Sequence, residues 1–119
     1  MYEYTTKIDF APVSGELKEK IEKELGDALS FHYYNDYVEG IKKGNSKATA
    51  LKIVLEKTGI DISHSIAVGD SQNDLEILKA AGIGVAVGNA PEWVKKEADM
   101  VTDTNNNAGV AKALKEVLK

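Results

Sequence analysis

A short polar segment, residues 68–74 (VGDSQND), has the residue types and the spacing for binding a cation and a phosphate. Asp70 follows a short apolar run and a glycine, and Asn73 and Asp74 come within the next helical turn. A carboxylate in that position suits a hard cation that itself holds a phosphate, and the free N–H groups at a helix start favour an anion. A simpler interpretation stays open, because a carboxylate at a helix N-terminus is also an ordinary cap.

Lys47 is the basic residue whose position indicates a role beside this segment. It lies in the first turn of a predicted helix that Ser46 can cap, where a positive charge is slightly unfavourable against the helix dipole. A functional reason for this placement would be to neutralise a phosphate and the neighbouring carboxylates. The alternative is a solvated lysine among the 15 basic residues of the chain, and position alone does not decide between the two.

Two competing motifs are excluded by their spacing. A calcium-binding loop that began at Asp70 would need glycine at its sixth position and glutamate at its twelfth, where the chain has Leu75 and Ala81. A dinucleotide-binding fingerprint fails over residues 82–88, because the glycines are spaced G-x-G-x-x-x-G and the last two do not lead from a strand into a helix.

The helices and strands that would position these residues are predicted to lie within residues 44–119. Helical stretches alternate there with short apolar runs at residues 65–68, 83–87 and 100–101, which lack the period-two pattern of a half-exposed strand. Such runs are typical of parallel strands buried on both faces, and ligands bind at the carboxyl ends of the strands in an open α/β sheet. Asp70 lies at such an end. The residues predicted to face inward from the first and last helices are Ala50, Leu51, Val54 and Leu55, and Val110, Leu114, Val117 and Leu118.

Residues 1–43 differ in pattern and are predicted to form a β-α-β-β layer with one covered face. His32 is expected to face solvent. In chain order, alternation predicts a strand at residues 2–10, the four-residue spacing of Leu17, Ile21 and Leu25 predicts a helix, and renewed alternation predicts strands at 29–33 and 37–41.

The composition excludes several classes of protein. The 119 residues are 43% hydrophobic and 29% charged, as in an ordinary soluble domain, and the absence of cysteine excludes disulfides, thiol catalysis and cysteine-ligated metals. All basic residues are lysine and the net charge is −4, which argues against a nucleic-acid partner. The sequence has no apolar run of membrane-spanning length and no signal-peptide pattern, so we expect no membrane partner and a cytoplasmic location.

Three segments taken together resemble a known family. They are residues 44–51 (GNSKATAL), 66–78 (IAVGDSQNDLEIL) and 82–90 (GIGVAVGNA). Their lysine, G-D-x-x-N-D and G-N-A motifs, in this order, resemble the C-terminal half of the haloacid-dehalogenase-like (HAD) phosphatases, most of all the Cof-type branch with a type IIB cap. The resemblance implies that residues 44–119 form the C-terminal part of a Rossmann-like α/β core, and residues 1–43 the C-terminal part of an α+β cap domain.

The resemblance also implies a reaction and a role for each site residue. Lys47 matches the lysine that steadies the phosphate and the nucleophile, and Asn73 matches a residue that helps to hold the phosphate. Asp70 matches the aspartate that binds Mg²⁺, and Asp74 matches the carboxylate that braces the lysine and the water shell of the metal. The implied reaction is hydrolysis of a small phosphorylated metabolite through an aspartyl-phosphate, with Mg²⁺ offsetting charge on the transferred group.

One motif of the family does not occur in this sequence. Family members begin with a strand that ends in D-x-D-G-T/S and carries the nucleophile and the acid/base, but the chain contains no Asp-x-Asp pair. We therefore expect the last portion of a longer protein, inactive by itself and with weak or no Mg²⁺ binding. The alternatives are a non-catalytic binding or assembly remnant, and a half-enzyme completed by another chain. A strand edge left free at residues 66–68 leads us to expect self-association.

Overall fold

The computed structural model describes residues 7–11 and 14–119 and divides the chain into two units, Met1–Asn45 and Ser46–Lys119. The predicted boundary, between residues 43 and 44, lies two residues earlier. The part of the first predicted strand that precedes residue 7 lies outside the described residues. In the described ranges, no helix combines the length and the apolar character that crossing a membrane requires.

The first unit is a three-stranded antiparallel sheet with one helix. Its elements are β1 (Lys7–Phe10), α1 (Gly15–Leu25), β2 (Leu29–Tyr33) and β3 (Val38–Lys42), and the strand order is β1-β3-β2. Ser14 caps helix α1, because its hydroxyl accepts a hydrogen bond from the backbone N–H of Leu17 at 3.3 Å. The observed β-α-β-β order is the one that the sequence pattern predicts. Alternation of polar and apolar residues indicated the strands, and four-residue spacing of apolar residues indicated the helix.

The two faces of this sheet have different chemistry. One face is apolar around Gly40, where an added Cβ would lie 3.1–3.4 Å from the side chains of Phe10, Leu29 and Phe31. The opposite face carries Glu39, which is 4% exposed and lies 3.0 Å from Lys7 Nζ and 3.2 Å from His32 Nδ1. The prediction that His32 faces solvent is therefore wrong, since the buried Glu39 carboxylate on the neighbouring strand holds its ring in a half-buried position.

The second unit is a parallel sheet with helices between its strands, which confirms the predicted α/β class. The strands β4 (Ile66–Gly69), β5 (Ile83–Ala86) and β6 (Met100–Val101) lie in the order β4-β5-β6. The helices are α2 (Lys47–Thr58), α3 (Leu75–Ala80), α4 (Glu92–Lys95) and α5 (Gly109–Val117), with single 3₁₀ turns at Ile62–His64, Gln72–Asp74 and Asn105–Asn107.

The core of the second unit surrounds the central strand β5. Val85 and Ala86 of this strand are fully buried, as is Val94 of α4, and Leu78 of α3 is 1% exposed. Burial on both faces explains why β5 is apolar throughout instead of alternating. The rigid centre of the sheet fixes the positions at which β4, β5 and β6 end.

Two predicted helix faces differ from the observed ones. Helix α2 buries Ala48 and Leu55, whereas Val54 is 57% exposed. Helix α5 buries only its small residues Gly109 and Ala113, because its first turn lies against the backbone that follows β6. The predicted apolar face of α5 is exposed at Val110, Leu114 and Leu118.

Candidate functional site

The predicted polar segment lies at the carboxyl end of β4, as expected. The strand ends at Gly69. The exposed Asp70 and the half-buried Ser71 follow, and the 3₁₀ turn Gln72–Asp74 leads directly into α3. The site therefore begins where a buried strand gives way to a helix. This is the edge at which open α/β sheets bind their ligands.

Asp74 is the buried centre of the site. The residue is 6% exposed, and its Oδ2 accepts hydrogen bonds from the backbone N–H groups of Asp70 at 3.0 Å and Ser71 at 3.1 Å. Its Oδ1 lies 2.5 Å from Lys47 Nζ. Burial raises the pKa of this carboxyl, but the hydrogen bonds from Lys47 and Asp70 outweigh it, so the pKa lies below its usual value. Asp74 is therefore an anion at neutral pH that holds both the turn and the lysine.

Lys47 reaches the site from the first turn of α2. Ser46 caps this helix, and its hydroxyl accepts a hydrogen bond from the Thr49 N–H at 3.1 Å. Besides its contact with Asp74, Lys47 Nζ lies 3.5 Å from Asn73 Oδ1, and its side chain is 52% exposed. The ammonium is thus paired with a carboxylate and still presents N–H groups to solvent.

Asn73 and Asp70 each present one unused polar group in the described part of the chain. The Ser71 hydroxyl donates to Asn73 Oδ1 at 2.6 Å, which leaves the amide nitrogen without a hydrogen bond to the described residues. Asp70 Oδ2 accepts a hydrogen bond from Asn89 Nδ2 at 3.1 Å, while Oδ1 has no partner among the same residues. The site thus offers an amide donor and a carboxylate acceptor beside an ammonium group.

The structure brings the four predicted residues to one edge of the sheet, with different degrees of contact. Lys47, Asn73 and Asp74 contact one another directly or through Ser71. The backbone N–H of Asp70 donates a hydrogen bond to Oδ2 of Asp74. The functional roles predicted for these residues stay predictions.

Asn89 belongs to this site and was not predicted as a site residue. It follows β5, the strand next to β4, and its amide contacts Asp70. The sequence contained a signal for it, because Asn89 is the asparagine of the G-N-A motif, and neighbouring parallel strands end at the same edge of a sheet.

The donor set fits Mg²⁺ in part. Mg²⁺ binds proteins through one or two carboxylates, and water and phosphate oxygens complete the shell. Asp70 offers one such oxygen, whereas both oxygens of Asp74 are engaged by Lys47 and by the turn. Among the described residues, no three His, Asp or Glu side chains are grouped so as to hold a metal. Asp70 would hold the ion, Asp74 would act on it indirectly, and the ion would neutralise charge on a bound phosphate.

A family model for haloacid dehalogenase-like hydrolases matches residues 3–114. The chain belongs to this family. The match extends over most of both units and confirms the family resemblance that the motifs predicted.

Two relatives of this haloacid dehalogenase-like chain are named as phosphatases. The 5-amino-6-(5-phospho-D-ribitylamino)uracil phosphatase of Bacillus subtilis is 51% identical over 72 residues, which are 60% of this chain and 29% of the relative. A phosphoglycolate phosphatase of Methanobrevibacter smithii is 33% identical over 125 residues, covering 98% of this chain and 50% of the relative. The chain thus spans at most half the length of these two relatives.

Solved structures of the family share the fold. A HAD-superfamily phosphatase from Bacteroides thetaiotaomicron matches with a TM-score of 0.84 at 39% identity, over 98% of this chain and 44% of that protein. A HAD subclass IIB sugar phosphatase matches with a TM-score of 0.83 at 26% identity, over 94% of this chain and 43% of that protein. These matches confirm the predicted branch and fold class.

Proposed function

We propose that this chain supplies one part of the active site of a Mg²⁺-dependent phosphatase that hydrolyses small phosphate monoesters. The observation that carries the proposal is the 2.5 Å contact between Lys47 Nζ and Asp74 Oδ1, beside the unused groups of Asn73 and Asp70. Two relatives named for small phosphorylated metabolites support the substrate class.

Each residue has a role that its surroundings favour. The Lys47 ammonium and the Asn73 amide bind oxygens of the phosphate, since both present N–H donors at a solvent-accessible edge. Asp74 keeps Lys47 in place, because its buried carboxylate pairs with the lysine ammonium. Asp70 supplies a carboxylate oxygen to Mg²⁺.

The nucleophile of the proposed reaction comes from outside the printed sequence. An aspartate of an Asp-x-Asp motif attacks phosphorus, the bond to the ester oxygen breaks, and water then hydrolyses the aspartyl-phosphate. The chain has no Asp-x-Asp pair, so we propose that it has no phosphatase activity by itself. The half-enzyme alternative differs only in that a separate polypeptide supplies this motif, whereas a non-catalytic remnant would never gain activity.

A complementation assay tests this proposal. The chain is joined to, or mixed with, the N-terminal segment of a relative that carries D-x-D-G-T, and phosphate release from p-nitrophenyl phosphate is measured with Mg²⁺. We expect release only after complementation, and its loss in Asp70→Asn and Lys47→Met. Lys52→Met is the matched control, because Lys52 is an exposed lysine of the same helix. Turnover by the chain alone that disappears in Asp70→Ala would refute the proposed inactivity, and no release after complementation would favour the remnant.

We further propose that the chain self-associates through β4. In the described part of the sheet this strand pairs only with β5, so its other edge has free backbone groups. Light scattering should show a dimer or a larger species, and Ile66→Lys, a charge on that edge strand, should shift it toward the monomer. Ile53→Lys on the exposed face of α2 is the control. A clean monomer at high concentration would contradict the proposed self-association.

The expected lack of nucleic-acid and membrane partners and the cytoplasmic location stay predictions.

A further inference from the structure

The asparagine of the G-N-A motif contacts the site but has no part in the function proposed above. We infer that Asn89 is a positioning residue for Asp70 and that the backbone of Asn105 orients Asn89. The inference rests on the proposed function in that it takes Asp70 as the residue that meets the cation. The contacts that support it are the hydrogen bonds at the two ends of the Asn89 amide.

The direction of these two hydrogen bonds is fixed by chemistry. The backbone N–H of Asn105 is a donor only, and it lies 3.0 Å from Asn89 Oδ1. The oxygen end of the amide therefore faces Asn105, and the NH₂ end faces Asp70, where Nδ2 lies 3.1 Å from Oδ2. A carboxylate oxygen can only accept this bond, so the arrangement has a single consistent orientation.

The fold makes this contact possible by ending three adjacent strands at one edge. Asp70 follows β4, Asn89 follows β5 and Asn105 follows β6, and these strands are neighbours in that order. The hydrogen bonds from Asn105 to Asn89 to Asp70 therefore run across the edge of the sheet, one residue for each strand. Their positions depend on the buried core that holds the strands in register.

The backbone around Asn89 is held in place. An added Cβ at Gly88 would lie 2.9 Å from the backbone nitrogen of Thr104, and the Gly88 N–H donates to the carbonyl of Asp103 at 3.1 Å. On the other side, Ala90 is 4% exposed. Asn89 itself is exposed between these two anchored residues, so its side chain reaches the site from a rigid base.

The consequence for Asp70 is a restricted carboxylate. With Oδ2 held by Asn89, the group cannot rotate freely, and Oδ1 is the oxygen left for a cation. Partners of this kind, one step removed from the ion, commonly change metal affinity by about tenfold or more when they are removed. We therefore expect loss of Asn89 to weaken cation binding at Asp70 without unfolding the unit.

The test uses Mn²⁺ alone as the probe and the whole chain labelled with ¹⁵N. Mn²⁺ broadens amide resonances near its binding site, and in the unmodified chain the broadening should centre on residues 69–71. The Mn²⁺ concentration for half-maximal broadening should rise about tenfold in Asn89→Ala. Asn106→Ala is the matched control, an exposed asparagine of the turn after β6, and should leave that concentration unchanged.

A second variant separates orientation from simple loss of a side chain. Asn105→Pro removes the N–H that holds Asn89 Oδ1 and leaves the Asn89 side chain in place. Proline fits there because Asn105 is the first residue of its 3₁₀ turn and the preceding Thr104 is extended, with ψ at 161°. We expect Asn105→Pro to weaken Mn²⁺ binding in the same direction as Asn89→Ala, and to shift the side-chain NH₂ resonances of Asn89.

The possible outcomes separate this inference from the proposed function. Unchanged Mn²⁺ dependence in both variants, or Mn²⁺ broadening in the unmodified chain that is absent or centred elsewhere, would overturn the role of Asn89. Dependence on Asn89 together with no phosphate release after complementation would overturn the proposed function and leave the positioning role standing.

Discussion

Gly69 and the side chain of Asp74 lie so close that no larger residue fits at position 69: an added Cβ would be 2.7 Å from Asp74 Cγ and 2.8 Å from Oδ2. This close approach lets the carboxylate fold back over the end of β4 and accept the N–H groups of Asp70 and Ser71. The glycine is needed here for space, because any side chain at this position would collide with the Asp74 carboxyl group.

Gly69→Ala should therefore destabilise the second unit. The new methyl group must displace Asp74, which breaks its hydrogen bonds to the turn, and such overpacking costs about 1–3 kcal/mol. Urea unfolding followed by far-ultraviolet circular dichroism measures the loss. Gly15→Ala is the control, because an added Cβ there meets nothing within 4 Å. Equal midpoints for Gly69→Ala and the unmodified chain would contradict the packing argument.

The Lys47–Asp74 pair should respond unequally to loss of either partner. The Lys47 side chain is 52% exposed and that of Asp74 is 8% exposed. Lys47→Met should cost no more than about 1 kcal/mol, as for exposed ion pairs. Asp74→Asn should cost about 2 kcal/mol, because an amide has one accepting oxygen and cannot serve both Lys47 and the turn.

Free energies of unfolding from urea titrations test this asymmetry. Lys52→Met, on the exposed face of α2, should leave the midpoint unchanged and serves as the control for loss of a surface charge. If Lys47→Met proved as costly as Asp74→Asn, the hydrogen bonds from the turn would not be what stabilises the buried carboxylate.

Ser46 should matter for the helix that carries Lys47. Its hydroxyl caps α2 through the Thr49 N–H at 3.1 Å, and loss of such a cap costs about 1 kcal/mol. Ser46→Ala should lower the unfolding free energy by about that amount, and Ser46→Asp should preserve it because aspartate caps equally well. Calorimetric unfolding compares the three proteins, and equal melting temperatures for all three would show that the cap contributes nothing.

Asp103 should make the stability depend on pH in the acid range. The Lys112 ammonium, 2.6 Å from Oδ2, lowers the pKa of Asp103 from 3.8 to about 2, with help from the Thr104 N–H and the Asn107 amide. Because the folded pKa lies below the unfolded one, the stabilisation is complete above the unfolded pKa. It is lost as the pH falls from about 4 through about 2.

Urea midpoints measured between about pH 5 and about pH 2 test this dependence. The unmodified chain should be more stable than Asp103→Asn at the upper end, and the difference should become much smaller toward the lower end. A constant difference across the range would mean that Asp103 stabilises the fold by some means other than its charge.

The local pattern of the sequence determined the order of elements and the place of the site. Apolar runs without alternation predicted the parallel strands, and Asp70 after such a run predicted a binding edge, because buried strands and helix starts have distinct residue preferences. Ser46 as a helix cap was also readable from the sequence, since capping depends on residues three positions apart.

Contacts between distant segments were decided only by the tertiary structure. The exposed face of α5 and the half-buried His32 depend on which neighbours approach, and periodicity carries no information on that. Asn89 reaches Asp70 across 19 positions of sequence because β4 and β5 end side by side. Residue types show what chemistry is available, but only the packed sheet brings those groups within hydrogen-bonding distance.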